Sequence, residues 1–311
     1  MDLLETEDVV FSLNRHRNQD SKSVAKAYFS SVTDLKTEGK YRIIVDLEKG
    51  NADFPYFMSD SHAAIIPAGT TNFDDGIGTG GYILENFNAG VRSLVKRNPN
   101  YWKEGRAHFD EIEILSVADN TARTNALQTK TIDAMNRCDL KTADLFKRQP
   151  GINVIRTTGS KHYTFPMRTD LAPFNNNDVR LALKYAINRE ELLKIVLRGY
   201  GSIGNDTPIG PTYQYFAKDI PQRSYDPDKA KFHFKKAGLS NHTFTIHASE
   251  AAFSGGEEAA LLYSEHARQA GINIKIIRSP KDGYWKSIWM KKPWSIEIFL
   301  KCIFLIPRMC L

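Results

Sequence analysis

The stretch from Thr243 to Ile277 constrains this chain more than any other. Thr243-Phe244-Thr245-Ile246-His247 is β-branched and aromatic, which predicts a strand. Glu257 to Ala270 predicts a helix, stopped by Gly271. Ile272-Asn273-Ile274-Lys275-Ile276-Ile277 predicts a second strand. Two strands joined by a helix pair in parallel through a right-handed crossover. The fold class expected is therefore α/β. With 311 residues, and about 100–200 residues per domain, two domains are expected.

Helical periodicity is strongest over Asp178 to Leu197, where Val179, Leu181, Leu183, Ile187, Leu192, Ile195 and Val196 recur on one face. Asn188 can cap a restart, so two helices meeting near Ile187-Asn188 are predicted. Asp226 predicts a cap with Pro227 at the first helical position, the helix running to Gly238. Thr6 predicts the cap of an N-terminal helix through its hydroxyl. Tyr41–Leu47 predicts a strand, Gly50–Asp53 a turn, and Phe54–Phe57 an apolar segment that Pro55 keeps off a regular helix. Tyr82–Leu84 and Arg92–Arg97 flank Asn88-Ala89-Gly90 as a hairpin, and Glu111–Leu115 alternates as a third strand. Asn120 to Leu127 predicts a short helix capped by Asn120 or Thr121. Short strands are expected at Ile132–Met135 and Ile152–Ile155.

Composition excludes several classes. A chain that is 41% hydrophobic with 17 Phe, 13 Tyr and 4 Trp can bury enough apolar surface to fold. Three Cys exclude a disulfide-built scaffold. The net charge of +6 is spread along the chain and does not call for nucleic acid or a membrane surface.

Candidate chemistry is sparse. None of the eight His stands in His-x-x-x-His spacing on a helix, and Cys302 and Cys310 lack Cys-x-x-Cys spacing, so no metal site is expected. Gly76–Gly81 precedes a strand, not the helix N-terminus that a phosphate loop needs. Gly199-Tyr200-Gly201-Ser202-Ile203-Gly204 follows a helix, the wrong side for a dinucleotide fingerprint. No Gly-x-Ser-x-Gly elbow is present, and no nucleophile stands beside a base. Catalytic residues and cofactors are expected to be none. Tyr284, Trp285, Trp289 and Trp294 form an aromatic group that suits either core packing or the walls of a ligand cleft.

Several segments match one family in order. They are Thr6-Glu7-Asp8-Val9-Val10-Phe11-Ser12-Leu13, Gly78-Thr79-Gly80-Gly81-Tyr82 and Arg97-Asn98-Pro99-Asn100-Tyr101-Trp102. Pro173-Phe174-Asn175 follows, then Asp178-Val179-Arg180-Leu181-Ala182-Leu183-Lys184-Tyr185-Ala186-Ile187-Asn188-Arg189. Tyr225-Asp226-Pro227-Asp228-Lys229-Ala230 and Lys236-Ala237-Gly238-Leu239 complete the series. With these the chain resembles the extracellular solute-binding proteins of peptide-type ABC importers, family 5, the dipeptide, oligopeptide and nickel group. Where the family carries a Gly in its Leu-x-x-Gly-x-x-Asp pattern, this chain has Lys130 or Thr131.

The resemblance implies a partial two-lobed periplasmic-binding-protein architecture of type II-like kind, with mixed sheets and flanking helices. Residues 1–75 would be a partial small subdomain of lobe one, 76–160 part of lobe one, and 161–295 part of lobe two. It implies a monomer that captures a peptide or other small solute by lobe closure and hands it to ABC permease subunits, with no nucleic acid. Tyr163 and Phe165 would border the crossing into the second lobe. Asp206 would meet a ligand amine, or else serve as a turn residue, and Trp294 would stack on ligand, or else pack in the core. The resemblance implies a periplasmic location, although the N-terminal residues have neither the basic nor the apolar region of a signal peptide. A second reading, from another class, is a small basic module that binds a protein partner or an anionic surface, with affinity that falls with salt.

The chain departs from the family at both ends. Family residues expected before the Thr-Glu-Asp helix are absent, and 296–311 is an apolar tail unlike the family. An incomplete copy that binds its solute weakly is the expectation, with the tail read from a shifted frame. This predicts family-like sequence in another reading frame downstream of Ser295; nucleotide sequence lacking it in both alternative frames removes the idea.

Overall fold

The computed structural model describes residues 4–299, except 158, 160, 208, 212, 214 and 215. It divides into two compact units, Met1–Arg123 and Thr124–Leu311.

In the first unit, α1 (Thr6–Arg17) and a single turn, α2 (Lys26–Phe29), precede the antiparallel pair β1 (Val32–Thr37) and β2 (Ile43–Leu47). A turn, α3 (Phe54–Phe57), follows, then the meander β3 (Tyr82–Asn88), β4 (Arg92–Arg97) and β5 (Glu111–Leu115). The expected hairpin and third strand are present, with Tyr82 opposite Arg97 and Ser93 opposite Ile114. Leu13, Ala25, Phe29, Val32, Phe54 and Ala63 form a small core. His16 is buried there, stacked 5.1 Å from Phe29. Burial and Arg15 lower its pKa, and Ser23 Oγ sits 2.7 Å from its Nδ1. The meander leaves Ile83, Phe87, Val91, Ile114 and Leu115 exposed.

Two local readings need correction here. The α1 cap is Glu5, not Thr6, and its backbone N–H donates to the Asp8 carboxylate at 2.9 Å. Thr6 lies inside the first turn, and its hydroxyl donates instead to the Gly39 carbonyl at 3.3 Å. Pro55 does not keep its segment off a helix. It sits in the first turn of α3, where a missing N–H costs nothing.

Helix α4 (Asn120–Gln128) spans the division between the units. Its N-terminal donor is satisfied by Asp119, whose carboxylate accepts from the Ala122 N–H at 2.8 Å, rather than by Asn120 or Thr121. Next come a turn, α5 (Ala143–Phe146), and the strand β6 (His162–Thr164). No strand forms at Ile132–Met135 or Ile152–Ile155. Ile155 is 84% exposed, and a short apolar run without a partner strand gains nothing from extension.

The second unit is built on the segments that the sequence reads best. The helix pair α6 (Asn177–Tyr185) and α7 (Arg189–Ile195) meets at Asn188, whose side chain accepts from the Glu191 N–H at 3.1 Å. Helix α8 (Pro227–Lys236) is capped by Asp226, which accepts from the Lys229 N–H at 2.9 Å. Strands β7 (Thr243–Ala248) and β8 (Asn273–Arg278) pair in parallel across α9 (Gly256–Gln269), as the crossover requires. A turn, α10 (Tyr284–Ser287), leads to β9 (Glu297–Phe299), antiparallel to β6. Isolated bridges join His247 to Ser295 and Met167 to Trp294, so the chain around Trp294 lies between β7 and the end of β6.

The core holds Val179, Leu183, Phe234, Phe244, Ile246, Ile272, Trp294 and Ile296, each 3% exposed or less. The apolar segment 296–311 is described only as far as 299, and there Ile296 belongs to this core. Cys302 and Cys310 lie outside the described residues.

Leu183 has no exposed surface. Leu183→Ala is expected to cost about 2–5 kcal/mol through lost burial and the cavity left behind. Urea unfolding of the intact chain measures it, and a loss under about 1 kcal/mol contradicts this core.

Candidate functional site

Of the residues singled out in the sequence, three meet around β6. Tyr163 lies opposite Ile298 on β9, half-buried, its ring 4.2 Å from the Phe253 ring. The Lys161 ammonium lies 5.3 Å from the same ring. Two residues on, and so on the same side of the extended chain, Phe165 sets its edge against Tyr263 at 5.1 Å. Trp294 has no exposed surface. Its indole N–H donates to the Phe165 carbonyl at 3.1 Å, and its ring packs among Phe174, Phe244 and Tyr263. The Arg168 N–H donates to the Pro293 carbonyl at 2.9 Å, which closes the far end of the same contact.

Trp294 therefore has no face left for a ligand. Between the two roles read for it, core packing is the one it fills here, and it acts on Phe165 from behind. Trp285, by contrast, is 43% exposed, while Tyr284 is buried and donates to the Ile296 carbonyl at 2.7 Å. Burial raises the Tyr284 phenol to about 12 and lifts that of Tyr263, which donates to the Leu183 carbonyl at 2.8 Å. Neither phenol ionises at neutral pH, so both act as fixed donors.

Asp206 stands apart. No hydrogen bond, ion pair or ring contact joins it to the other three among the described residues. Its two oxygens accept from Arg189 at 2.5 Å and Arg223 at 2.8 Å, and its φ is +57°. A carboxylate engaged twice by guanidinium has little left for a ligand amine. These contacts make Asp206 the anchor of two arginines, at a bend in the chain.

Glu297 is not among the residues that the sequence singles out. It lies on β9 opposite Thr164, 2% exposed, and neither its Oε2 nor the Thr164 hydroxyl has a hydrogen-bond partner among the described residues. Burial raises its carboxyl to about 7, against a weaker opposing pull from the Trp289 indole N–H. That N–H stops short of hydrogen-bond geometry. The one available signal was the alternation of Ser295-Ile296-Glu297-Ile298, which is that of a strand rather than of an unstructured tail.

Two depressions lie elsewhere. One, of about 420 Å³, is lined by Asp144, Glu190, Leu193, Lys194, Arg198 and Gly199. The other, of about 270 Å³, is formed by the loop from Ile66 to Ile77 in the first unit. Neither includes Tyr163 or Phe165. Among the described residues no cluster of three His, Cys, Asp or Glu could hold a metal, and no helix is long and apolar enough to cross a membrane.

Comparison with known proteins places these contacts in a family setting. Residues 3–299 match the family described as bacterial extracellular solute-binding proteins, family 5 Middle. The glutathione-binding protein GsiB of Escherichia coli O6:K15:H31 is 30% identical over 200 residues, which is 64% of this chain and 39% of that protein. GsiB of Pectobacterium atrosepticum is 25% identical over 274 residues, 86% of this chain and 53% of that protein. Among solved structures, the ABC transporter-associated periplasmic binding protein DppA from Helicobacter pylori, in complex with the peptide STSA, superimposes with a TM-score of 0.83. It is 22% identical, and the alignment covers 96% of this chain and 62% of that one. The chain thus spans about half the length, or less, of these curated relatives.

Glu297 makes a pH test possible. Its folded value of about 7 lies above the ordinary 4.5, so the neutral form is favoured by folding. That contribution is complete below about pH 4.5 and lost as pH rises through 7. Glu297→Gln, which keeps the neutral shape, is expected to melt with the wild type at acid pH and above it at pH values well past 7. Thermal melts across that range decide, and a difference that does not change with pH contradicts the assignment.

Proposed function

The chain belongs to the bacterial extracellular solute-binding proteins, family 5, and from that membership we propose that it is the solute-capturing component of an ABC importer. The solute is a peptide or peptide-like molecule, bound without being converted. The family match over residues 3–299 is the observation that carries this reading. The peptide-bound structural neighbour and the glutathione-binding relatives support the solute class. The protein works as a monomer in the periplasm and delivers its solute to permease subunits. The segments 1–75 and 76–160 contribute to one lobe and 161–295 to the other, and the two close on the solute.

Within that scheme Tyr163 and Phe165 border the solute. Both are half-buried aromatics that keep some accessible surface, Tyr163 on β6 and Phe165 just past its end. Trp294 fixes the Phe165 carbonyl, and β9 covers one edge of β6. The other backbone groups of such an edge suit an extended peptide, which adds main-chain hydrogen bonds there.

Affinity is expected to be weaker than micromolar for this chain. The exposed Ile83, Phe87, Val91, Ile114 and Leu115 leave apolar surface uncovered, a liability in a lobe that has to close on a solute. Calorimetry against a library of short peptides measures it. Tyr163→Ala and Phe165→Ala are each expected to weaken whatever binding is seen by about tenfold, or 1.4 kcal/mol. A micromolar constant overturns the weak-binding expectation. Affinity untouched by both substitutions overturns the place given to these two residues.

A further inference from the structure

The larger depression, of about 420 Å³, brings Asp144 of α5 together with Glu190, Leu193 and Lys194 of α7 and with Arg198 and Gly199 just past it. Glu190 and Lys194 lie one turn apart, with the acid first, a spacing that favours an ion pair on a helix. None forms. Glu190, Lys194 and Arg198 make no side-chain hydrogen bond or ion pair among the described residues. The turn that ends α7 is unusual too. Arg198 has φ +51° and Gly199 has φ +78°. The Gly199 N–H donates to the Leu193 carbonyl at 3.0 Å, and the Tyr200 N–H to the Leu197 carbonyl at 2.7 Å. Glycine suits such a φ, and the Arg198 guanidinium does nothing to hold the turn.

Asp144 is held from one side only. The Tyr200 hydroxyl donates to its Oδ1 at 2.7 Å, and the Lys147 ammonium donates to the same atom at 3.0 Å. Lys147 also bonds the Tyr200 oxygen and lies 4.6 Å from that ring's centroid. These bonds, that from Tyr200 first, keep the Asp144 carboxyl below its usual range. They leave its Oδ2 without a partner among the described residues. The depression therefore presents two carboxylates with oxygens to spare, two cations with donors to spare, and one apolar side chain, Leu193. An anion alone would meet Glu190 and Asp144 as like charges. A cation alone would meet Lys194 and Arg198 in the same way. A molecule that carries both charges matches both sets.

We propose that this depression binds a small zwitterion, an α-amino acid with an aliphatic side chain. Its carboxylate accepts from the Arg198 guanidinium and the Lys194 ammonium. Its ammonium donates to Glu190 and to Asp144 Oδ2, and its side chain covers Leu193. Tyr200 and Lys147 are positioning residues that turn Asp144 Oδ2 outward. A depression of this volume holds such a molecule with room for water. The site is separate from Tyr163 and Phe165 and does not depend on the solute proposed above.

Isothermal titration of the intact chain with L-leucine tests this, beside isocaproate, which lacks the ammonium, and isoamylamine, which lacks the carboxylate. Saturable binding of L-leucine is expected, with each analogue weaker by about tenfold or more. Arg198→Gly removes the guanidinium and leaves a residue that adopts the same φ without strain, so the turn is kept. It is expected to weaken L-leucine about tenfold, as is Glu190→Gln. Lys275→Met, on β8, is expected to leave binding unchanged. Heats of L-leucine no larger than those of dilution overturn the site, whatever the peptides do. An analogue that binds as well as L-leucine overturns recognition of both charges. L-leucine binding that survives both Arg198→Gly and Glu190→Gln overturns this location, and loss of that binding in Tyr163→Ala alone assigns it to the other site.

Discussion

The hydrogen bond from the Trp294 indole to the Phe165 carbonyl is the contact on which the second unit depends. The two residues are 129 positions apart, and the bond is 3.1 Å long, made by an indole with no exposed surface. Around it the Met167–Trp294 and His247–Ser295 bridges join the chain of β6 to that of β7. Without it β6 and β9 would be a three-residue pair with little to hold them, since so short a ladder is marginal by itself. An indole buried this fully also needs a partner for its N–H, so the fold and the side chain satisfy each other.

Legibility in the sequence followed the range over which each element is stabilised. The helices α6, α7 and α8 carry their own signals, an apolar stripe and a capping side chain at Asn176, Asn188 and Asp226, and each forms at its expected place. The β7–α9–β8 unit needs only its own residues to bury one face. Ile132–Met135 and Ile152–Ile155 have apolar residues but no local partner, and a strand without a ladder is not stable. The caps fall at Glu5 and Asp119 rather than at Thr6 and at Asn120 or Thr121, because Thr, Asn, Asp and Glu all suit an N-terminus. Which of them caps depends on where the preceding chain turns.

The site was less legible than the fold, for a reason visible in the residues. Sequence ranks a Trp or an Asp by what it can do, but the role is decided by what has already claimed it. Phe244, Tyr263 and Phe174 enclose Trp294, and two arginines occupy Asp206. Conversely Glu297 and Lys184 are ordinary in sequence, and become unusual only when folding removes water and brings no partner. Family resemblance fixes the architecture, because the matched segments include the helix pair α6–α7 and both ends of α8. Those segments build the scaffold rather than read the solute.

The two unusual groups differ in what their surroundings ask of them. Glu297 lies in a closed apolar setting where losing its charge resolves the strain, since a neutral carboxyl needs no counter-ion. Lys184 is half-buried rather than enclosed, so burial lowers its pKa while water still reaches the side chain. An enclosed acid settles its burial with a proton, whereas a base at the edge of the core keeps part of its hydration instead.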